Sequence, residues 1–180
     1  MIKKKLKIDG TYLIKLDDKT DKRGSFTRIF CKKSFKKLGL QSKILQINIS
    51  NNIQKGIIRG FHYQSKKFSE IKRIMVVQGK IYDVIIDTRK NSKTFGKKYS
   101  LILSDKKKEM LYLPKGIAHA FQALKNNSKI IYINDNVYSK KFERGFNYNS
   151  KNFKIKWPIK VKNVSKKDRS LKDWNFYFQK

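Results

Sequence analysis

Two histidines stand in the 180 residues, His62 and His119, and each lies inside a dense short string. The first string is Gly56-Ile57-Ile58-Arg59-Gly60-Phe61-His62-Tyr63-Gln64, the second Leu113-Pro114-Lys115-Gly116-Ile117-Ala118-His119-Ala120-Phe121. An imidazole titrates near neutrality, so a strand-borne histidine beside Arg59 and Lys72 could serve as a base on an anionic substrate. A histidine in an apolar strand is also an ordinary hydrogen-bonded core residue, and spacing leaves both readings open. Other chemistries find no footing. There is no Gly-rich phosphate loop, Gly-x-Ser-x-Gly elbow or paired zinc motif. The histidines form no short ligand motif with the carboxylates, and cationic neighbours disfavour a divalent ion, so no metal is expected. Cys31 is the single cysteine, which allows no internal disulfide and no cysteine-based zinc site.

The elements that must position these groups are short and rich in Ile, Val, Tyr and Phe. Strand-like pieces run over Tyr12–Leu16, Phe26–Cys31, Ile44–Ser50, Ile57–Gln64, Ile71–Val77, Ile81–Asp87, Tyr99–Ser104, Glu109–Pro114, Ala118–Leu124 and Lys129–Tyr138. Turn-like clusters such as Lys22-Arg23-Gly24, Gln78-Gly79-Lys80 and Lys125-Asn126-Asn127-Ser128 separate them. Helical periodicity is confined to Lys32–Leu38. Many short strands at this spacing predict an all-β sandwich, barrel or jelly roll. With no repeat, linker or Pro/Gly-rich hinge, residues 1–180 read as one domain.

Strand parity adds detail. An unbroken Lys129–Tyr138 strand would put Ile130, Tyr132, Asn134, Asn136 and Tyr138 on one face. Tyr132 and Tyr138 would then stand about 20 Å apart. In Ile81–Asp87, Asp83 and Asp87 share a face with Ile85. Such polar faces belong either to solvent or to the lined interior of a barrel. Arg59 and His62 have opposite parity, so both serve one pocket only where Gly60 permits a bulge or the strand ends.

Composition bounds the function classes. Lys+Arg number 45 against 13 Asp+Glu, a formal net charge of +32. The 39% hydrophobic and 13% aromatic fractions exclude a disordered polycation. The lysines are scattered, with no Arg-rich stripe, which favours a solvated surface over a dedicated nucleic-acid face. No apolar run approaches a membrane span, and no apolar segment follows the basic Met1–Gly10. The expectation is a soluble cytoplasmic domain without a membrane or specific nucleic-acid partner.

Beyond composition, the order of motifs is informative. Asp21-Lys22-Arg23-Gly24-Ser25-Phe26 precedes Gln46-Ile47-Asn48-Ile49-Ser50 and Arg59-Gly60-Phe61-His62-Tyr63-Gln64. Lys72, Gly79-Lys80-Ile81-Tyr82-Asp83-Val84-Ile85-Ile86-Asp87-Thr88-Arg89 and Ser92-Lys93-Thr94-Phe95-Gly96 follow, then the His119 string. Tyr132, Tyr138, Glu143-Arg144-Gly145, Trp157-Pro158 and Ser165-Lys166-Lys167-Asp168 complete the set. From about Gly10 to Asp168 the chain resembles the dTDP-4-dehydrorhamnose 3,5-epimerase family.

That resemblance implies a cupin-type jelly-roll barrel, a homodimer, and no metal or organic cofactor. The implied substrate is a nucleoside-diphospho-4-keto-6-deoxyhexose, inverted at C3 and C5. Carried over by position, His62 matches the base, Tyr132 the proton donor and Lys72 the cation beside the enolate oxygen. Arg23, Gln46, Asn48, Arg59, His119, Glu143 and Lys167 match substrate-contacting positions, and Tyr138 the aromatic that stacks on the nucleotide base. The family pairs its histidine with a carboxylate, for which Asp168 is the first choice and Asp83 the second. Three departures stand out: Arg28 where the family commonly has Glu, Ala120 where Gly is usual, and Phe146-Asn147-Tyr148-Asn149-Ser150 in place of a Trp-Asn-Asp-Pro-like stretch. The competing readings are a mono-epimerase or ketoisomerase on a related nucleotide sugar, and a non-catalytic module binding nucleotide sugar or polyanion.

Overall fold

The computed structural model describes residues 1–175. In chain order it contains β1 (Ile2–Lys5), β2 (Tyr12–Lys15), β3 (Asp17–Asp21), β4 (Gly24–Arg28), α1 (Lys32–Lys37), β5 (Gln46–Asn52) and β6 (Ile57–Gln64). Next come β7 (Lys72–Gln78), β8 (Lys80–Asp87), β9 (Lys98–Ser104), β10 (Glu109–Leu113), β11 (Ile117–Ala123) and β12 (Ser128–Asn134). β13 (Glu143–Gly145), β14 (Asn163–Val164) and α2 (Lys166–Ser170) close the described chain. One sheet has the order β1-β2-β10-β7-β12-β5, the other β13-β6-β11-β8-β9, with β14 added to β6. β3 and β4 form a separate hairpin.

Alternating side chains of the two sheets meet in a shared interior. Ile74, Val76, Leu111, Leu113 and Ile130 come from the first sheet, and Ile81, Ile85, Leu103, Ile117 and Phe121 from the second. Each fully buried aliphatic or aromatic side chain stabilises the fold by about 1.5–3 kcal/mol, before ordering entropy is counted. The outer face of the first sheet is covered by Phe35 of α1, Leu40 and Leu16. Within that layer Arg73 is fully buried, ringed by Phe30, Phe35 and Tyr112, and donates to the carbonyls of Ile133 and Gln41. On the outer face of the second sheet, Phe146, Phe153 and Trp174 pack against Phe61, Val84 and Ile86. No helix is long and apolar enough to cross a membrane among the described residues.

The expected all-β architecture is present, and α1 falls where the helical periodicity lies. Two boundaries differ. The piece expected over Phe26–Cys31 is β4 at Gly24–Arg28, and Cys31 instead stands at the N-cap of α1. The strand expected over Lys129–Tyr138 stops at Asn134, so Tyr132 and Tyr138 do not share one extended face. Asp135 turns the chain there by accepting the Ile71 N–H at 2.7 Å, and the Asn136 side chain accepts the Val137 N–H at 2.9 Å. β1 and β3 carry no apolar alternation, reading Ile-Lys-Lys-Lys and Asp-Asp-Lys-Thr-Asp, which is why periodicity does not mark them.

Candidate active site

The barrel opens into a cavity of about 710 Å³ whose walls come from both sheets and from the C-terminal segment. His62 and Arg59 reach it from β6, His119 and Phe121 from β11, Lys72 from β7, Tyr132 from β12 and Asn48 from β5. Lys167 and Asp168 enter from α2. Arg59 and His62 share the cavity because β6 carries an irregularity. Three steps along β6, from Arg59 to His62, oppose only two along β11, from Phe121 to His119. Gly60 makes this possible at φ +114°, where a Cβ would lie 2.5 Å from the His119 carbonyl oxygen and 2.6 Å from Ala120 Cβ.

Each histidine has its own aspartate. His62 Nε2 lies 2.7 Å from Asp168 Oδ1, and His119 Nε2 lies 2.7 Å from Asp83 Oδ2. Asp168 is therefore the partner of His62, as first expected. Asp83, the second choice, is corrected to a partner of His119. It projects from β8 directly across from Phe121 and shares the interior face with Ile81 and Ile85, which places it behind His119 rather than near His62.

Asp168 is held by the way the chain ends its course. β14 docks parallel to β6, with Asn163 and Val164 opposite Ile57 and Ile58. Ser165 then caps α2 by accepting the Asp168 N–H at 3.0 Å. This presents the carboxylate to His62 and to the Gly60 N–H, 3.3 Å away. Burial pushes the Asp168 carboxyl up, but the hydrogen bond and charge of His62, with Gly60 and Ser165, hold it below the ordinary range. Ser165-x-x-Asp168 is the sequence pattern of such a cap, a signal that could have located this helix start.

On the facing wall, burial pushes the Tyr132 phenol well up, the Asp83 carboxylate pushes it further, and Arg59 opposes both. The phenol therefore stays protonated over the working pH range. The Tyr132 and His119 rings meet edge to face with centroids 6.0 Å apart. Lys72 Nζ donates to the His62 carbonyl at 3.1 Å and pairs with Glu70 at 3.3 Å. No feature of the sequence marks Glu70, a single acid in a polar turn.

A third group adjoins the cavity through Lys167, which lines it, while Tyr138, Glu143 and Gln46 stand outside the lining. Tyr138 O–H donates to Glu143 Oε2 at 2.8 Å, and Lys167 Nζ donates to the same oxygen at 2.5 Å. The Tyr138 N–H also donates to Gln46 Oε1 at 2.8 Å. Burial pushes the Glu143 carboxyl up, but the bonds from Lys167 and Tyr138 bring it below the ordinary range. Arg23 is not brought to this cavity. It sits in the exposed turn of the β3–β4 hairpin and pairs with Asp21 at 2.7 Å. Among the described residues, no group of three His, Cys, Asp or Glu side chains is placed to hold a metal ion.

Known proteins share this chain's sequence pattern and fold. Residues 5–175 match the family model for dTDP-4-dehydrorhamnose 3,5-epimerase. The enzyme of that name from Shigella flexneri is 38% identical over 149 residues, covering 82% of each chain. The crystal structure of the Bacillus anthracis dTDP-4-dehydrorhamnose 3,5-epimerase, with TDP and PPi bound, superposes with TM-score 0.91 at 36% identity, covering 94% of this chain and 97% of that one. The Legionella pneumophila dTDP-6-deoxy-D-glucose-3,5-epimerase, in complex with dTDP-4-keto-L-rhamnose, gives TM-score 0.89 at 32% identity, covering 96% of this chain and 92% of that one. With the barrel, the matched span and these likenesses in agreement, the chain belongs to the dTDP-4-dehydrorhamnose 3,5-epimerase family, of cupin fold.

Proposed function

We propose that the protein is a 3,5-epimerase that converts dTDP-4-dehydro-6-deoxy-D-glucose to dTDP-4-dehydro-L-rhamnose through an enolate, without a metal or organic cofactor. The observation that carries this reading is the opposition of two groups across one cavity: the His62–Asp168 pair on the second sheet and the Tyr132 phenol on the first. Inversion requires removal of a proton from one face of a carbon and delivery of another to the opposite face. The C4 ketone acidifies the protons on C3 and C5. His62 takes the proton, and the C–H electron pair moves to the C4 oxygen as the enolate forms. Asp168 fixes the imidazole tautomer and stabilises the imidazolium. Lys72 stabilises the enolate oxygen, and Tyr132 returns a proton to the carbon from the far side. Exchange with solvent restores both groups.

Around this centre Arg59, Asn48, His119, Lys167, Glu143, Gln46 and Tyr138 bind the nucleotide sugar, with Tyr138 meeting the base at the rim. The protein works as a homodimer. Support comes from surfaces that its own fold leaves uncovered: Phe26 on the β3–β4 hairpin is 71% exposed, and Ile47 and Ile49 on the edge strand β5 are 60% and 62% exposed. In that assembly the hairpin carries Arg23 to the neighbouring copy's substrate. Residues 1–180 act as one unit in the cytoplasm, supplying deoxysugar for lipopolysaccharide and O-antigen synthesis. The scattered lysines solvate the surface and recruit neither a membrane nor a specific nucleic acid.

The test is incubation with dTDP-4-dehydro-6-deoxy-D-glucose in deuterated buffer, followed by NMR. Deuterium at both C3 and C5 with inverted product is expected. Deuterium and inversion at one carbon alone would make the protein a mono-epimerase. Binding without exchange would make it a non-catalytic module.

A further inference from the structure

Glu70 is a buried acid that the epimerisation chemistry leaves without a role. It stands two residues before Lys72, in the turn leading into β7, and is only 8% exposed. One carboxylate oxygen lies 3.3 Å from Lys72 Nζ, and the other accepts a 2.8 Å hydrogen bond from Asn134 Nδ2. Lys72 and Asn134 are themselves partners across the β7–β12 ladder. Asn134 follows Tyr132 by two residues, on the same face of β12. The carboxylate therefore ties the lysine to the strand that bears the phenol.

The donor count gives this tie a purpose. An ammonium carries three N–H groups. Lys72 directs one to the His62 carbonyl and one to Glu70, which leaves the third for the cavity that Lys72 lines. A four-carbon side chain without such anchors samples many rotamers, and an oxyanion donor works only when held where charge develops. The position is otherwise a poor one for an acid. Burial pushes the Glu70 carboxyl up, Lys72 draws it down, and the nearby Asp135 and Glu143 push it up again. A buried carboxylate is tolerated when its charge is paired and its oxygens are engaged, as here, where one oxygen is ion-paired to Lys72 and the other hydrogen-bonded by Asn134.

We propose that Glu70 is a positioning residue of this site, whose carboxylate holds the Lys72 ammonium aimed at the C4 oxygen of bound substrate and locks it to the strand of Tyr132. This rests on the epimerase reading. Glu70→Gln keeps the shape but leaves one acceptor oxygen in place of two, and turns an N–H toward Lys72 or Asn134. In the full chain, kcat on dTDP-4-dehydro-6-deoxy-D-glucose should fall by about tenfold to hundredfold. KM should stay within about twofold, since the lost interaction acts in the transition state. Acylation of Lys72 by an amine-reactive reagent, read by mass spectrometry relative to the other lysines of the folded protein, should rise. Glu70→Asp, which keeps the charge one methylene back, should recover part of kcat, and carries the same two readouts should Glu70→Gln fail to fold. A folded variant with wild-type kcat and wild-type Lys72 acylation would overturn the proposal, as would a raised KM at unchanged kcat. Wild-type protein without turnover would instead sink the epimerase reading, while the acylation measurement would still decide whether Glu70 holds Lys72.

Discussion

His62 and His119 face each other as paired residues of the β6–β11 ladder, yet each is bound at 2.7 Å to a different aspartate. The two pairs differ in setting. The His62 side chain is 29% exposed at the cavity wall, whereas those of His119 and Asp83 are 6% and 0% exposed. They differ also in origin. Asp83 comes from β8, the neighbour of β11, while Asp168 comes from α2, beyond the docked β14. The accessible pair suits proton transfer, and the buried one suits a fixed contact to substrate.

Separate mutations of the two proton-transfer groups give different isotope patterns. His62→Ala should abolish solvent deuterium incorporation at C3 and C5, because no enolate forms. Tyr132→Phe should impair inversion while some exchange persists, because the enolate still forms and regains a proton from the histidine side. Lys72→Ala should depress both, by roughly the hundredfold typical of removing one charge-stabilising donor. Deuterium NMR on recovered substrate and product distinguishes these cases. Inversion at the wild-type rate by Tyr132→Phe would reduce that tyrosine to packing.

Asp168 links activity to acid stability. Its folded pKa lies below its unfolded value, so the stabilisation it contributes is fully present above the ordinary aspartate value of about 3.9. That contribution is lost as the pH falls through the lower folded value. Asp168→Asn should therefore be less stable than wild type at neutral pH, with the gap closing under strong acid. Its kcat should fall by roughly tenfold to hundredfold as the imidazole loses its orienting charge. Urea unfolding at a series of pH values, beside kcat at neutral pH, checks both halves. A stability gap that did not change with pH would contradict the linkage.

Gly60→Ala should destabilise the barrel by about 2–4 kcal/mol, the cost of a non-glycine residue in a forbidden conformation that also meets packed backbone. The added Cβ would strike the His119 carbonyl, and the φ of +114° is one that L side chains rarely adopt. Relief would separate Arg59 from His62, so activity should drop further than stability alone explains. Thermal unfolding and kcat per folded molecule would be measured together. Wild-type behaviour in both would show that the bulge is not required.

Exhaustive chelation should leave kcat and KM unchanged. Both histidines face carboxylates through Nε2, and the cavity also carries the cations Arg59 and Lys72. Activity lost to a chelator and restored by one divalent cation would refute the metal-free chemistry.

Much of this was legible in the residues themselves. Short runs dense in Ile, Val, Tyr and Phe, bounded by turn-like clusters, mark buried strands, so β6, β7, β8, β10 and β11 could be read closely from the chain alone. The two histidine strings and the order of motifs pointed to the cavity-lining His62, Lys72, Tyr132 and His119. The opposite parity of Arg59 and His62 left two ways for both to serve one pocket, a bulge at Gly60 or a strand end, and the β6–β11 pairing decides for the irregularity. Other relations belong to tertiary structure, because local periodicity says which face is buried and not what lies across from it. His62 and Asp168 are 106 residues apart, and only the docking of β14 and the Ser165 cap decide that this aspartate, rather than Asp83, reaches that histidine. β12 ends at Asn134 because Asp135 finds the Ile71 N–H across the sheet, a partner 64 residues distant. Arg23 belongs to a conspicuous motif, yet the hairpin that carries it stands clear of its own cavity. Glu70 shows the limit most plainly. One acid among polar neighbours is unmarked in the chain, and gains its meaning only when β7 and β12 pair and bring Lys72 and Asn134 to its two oxygens.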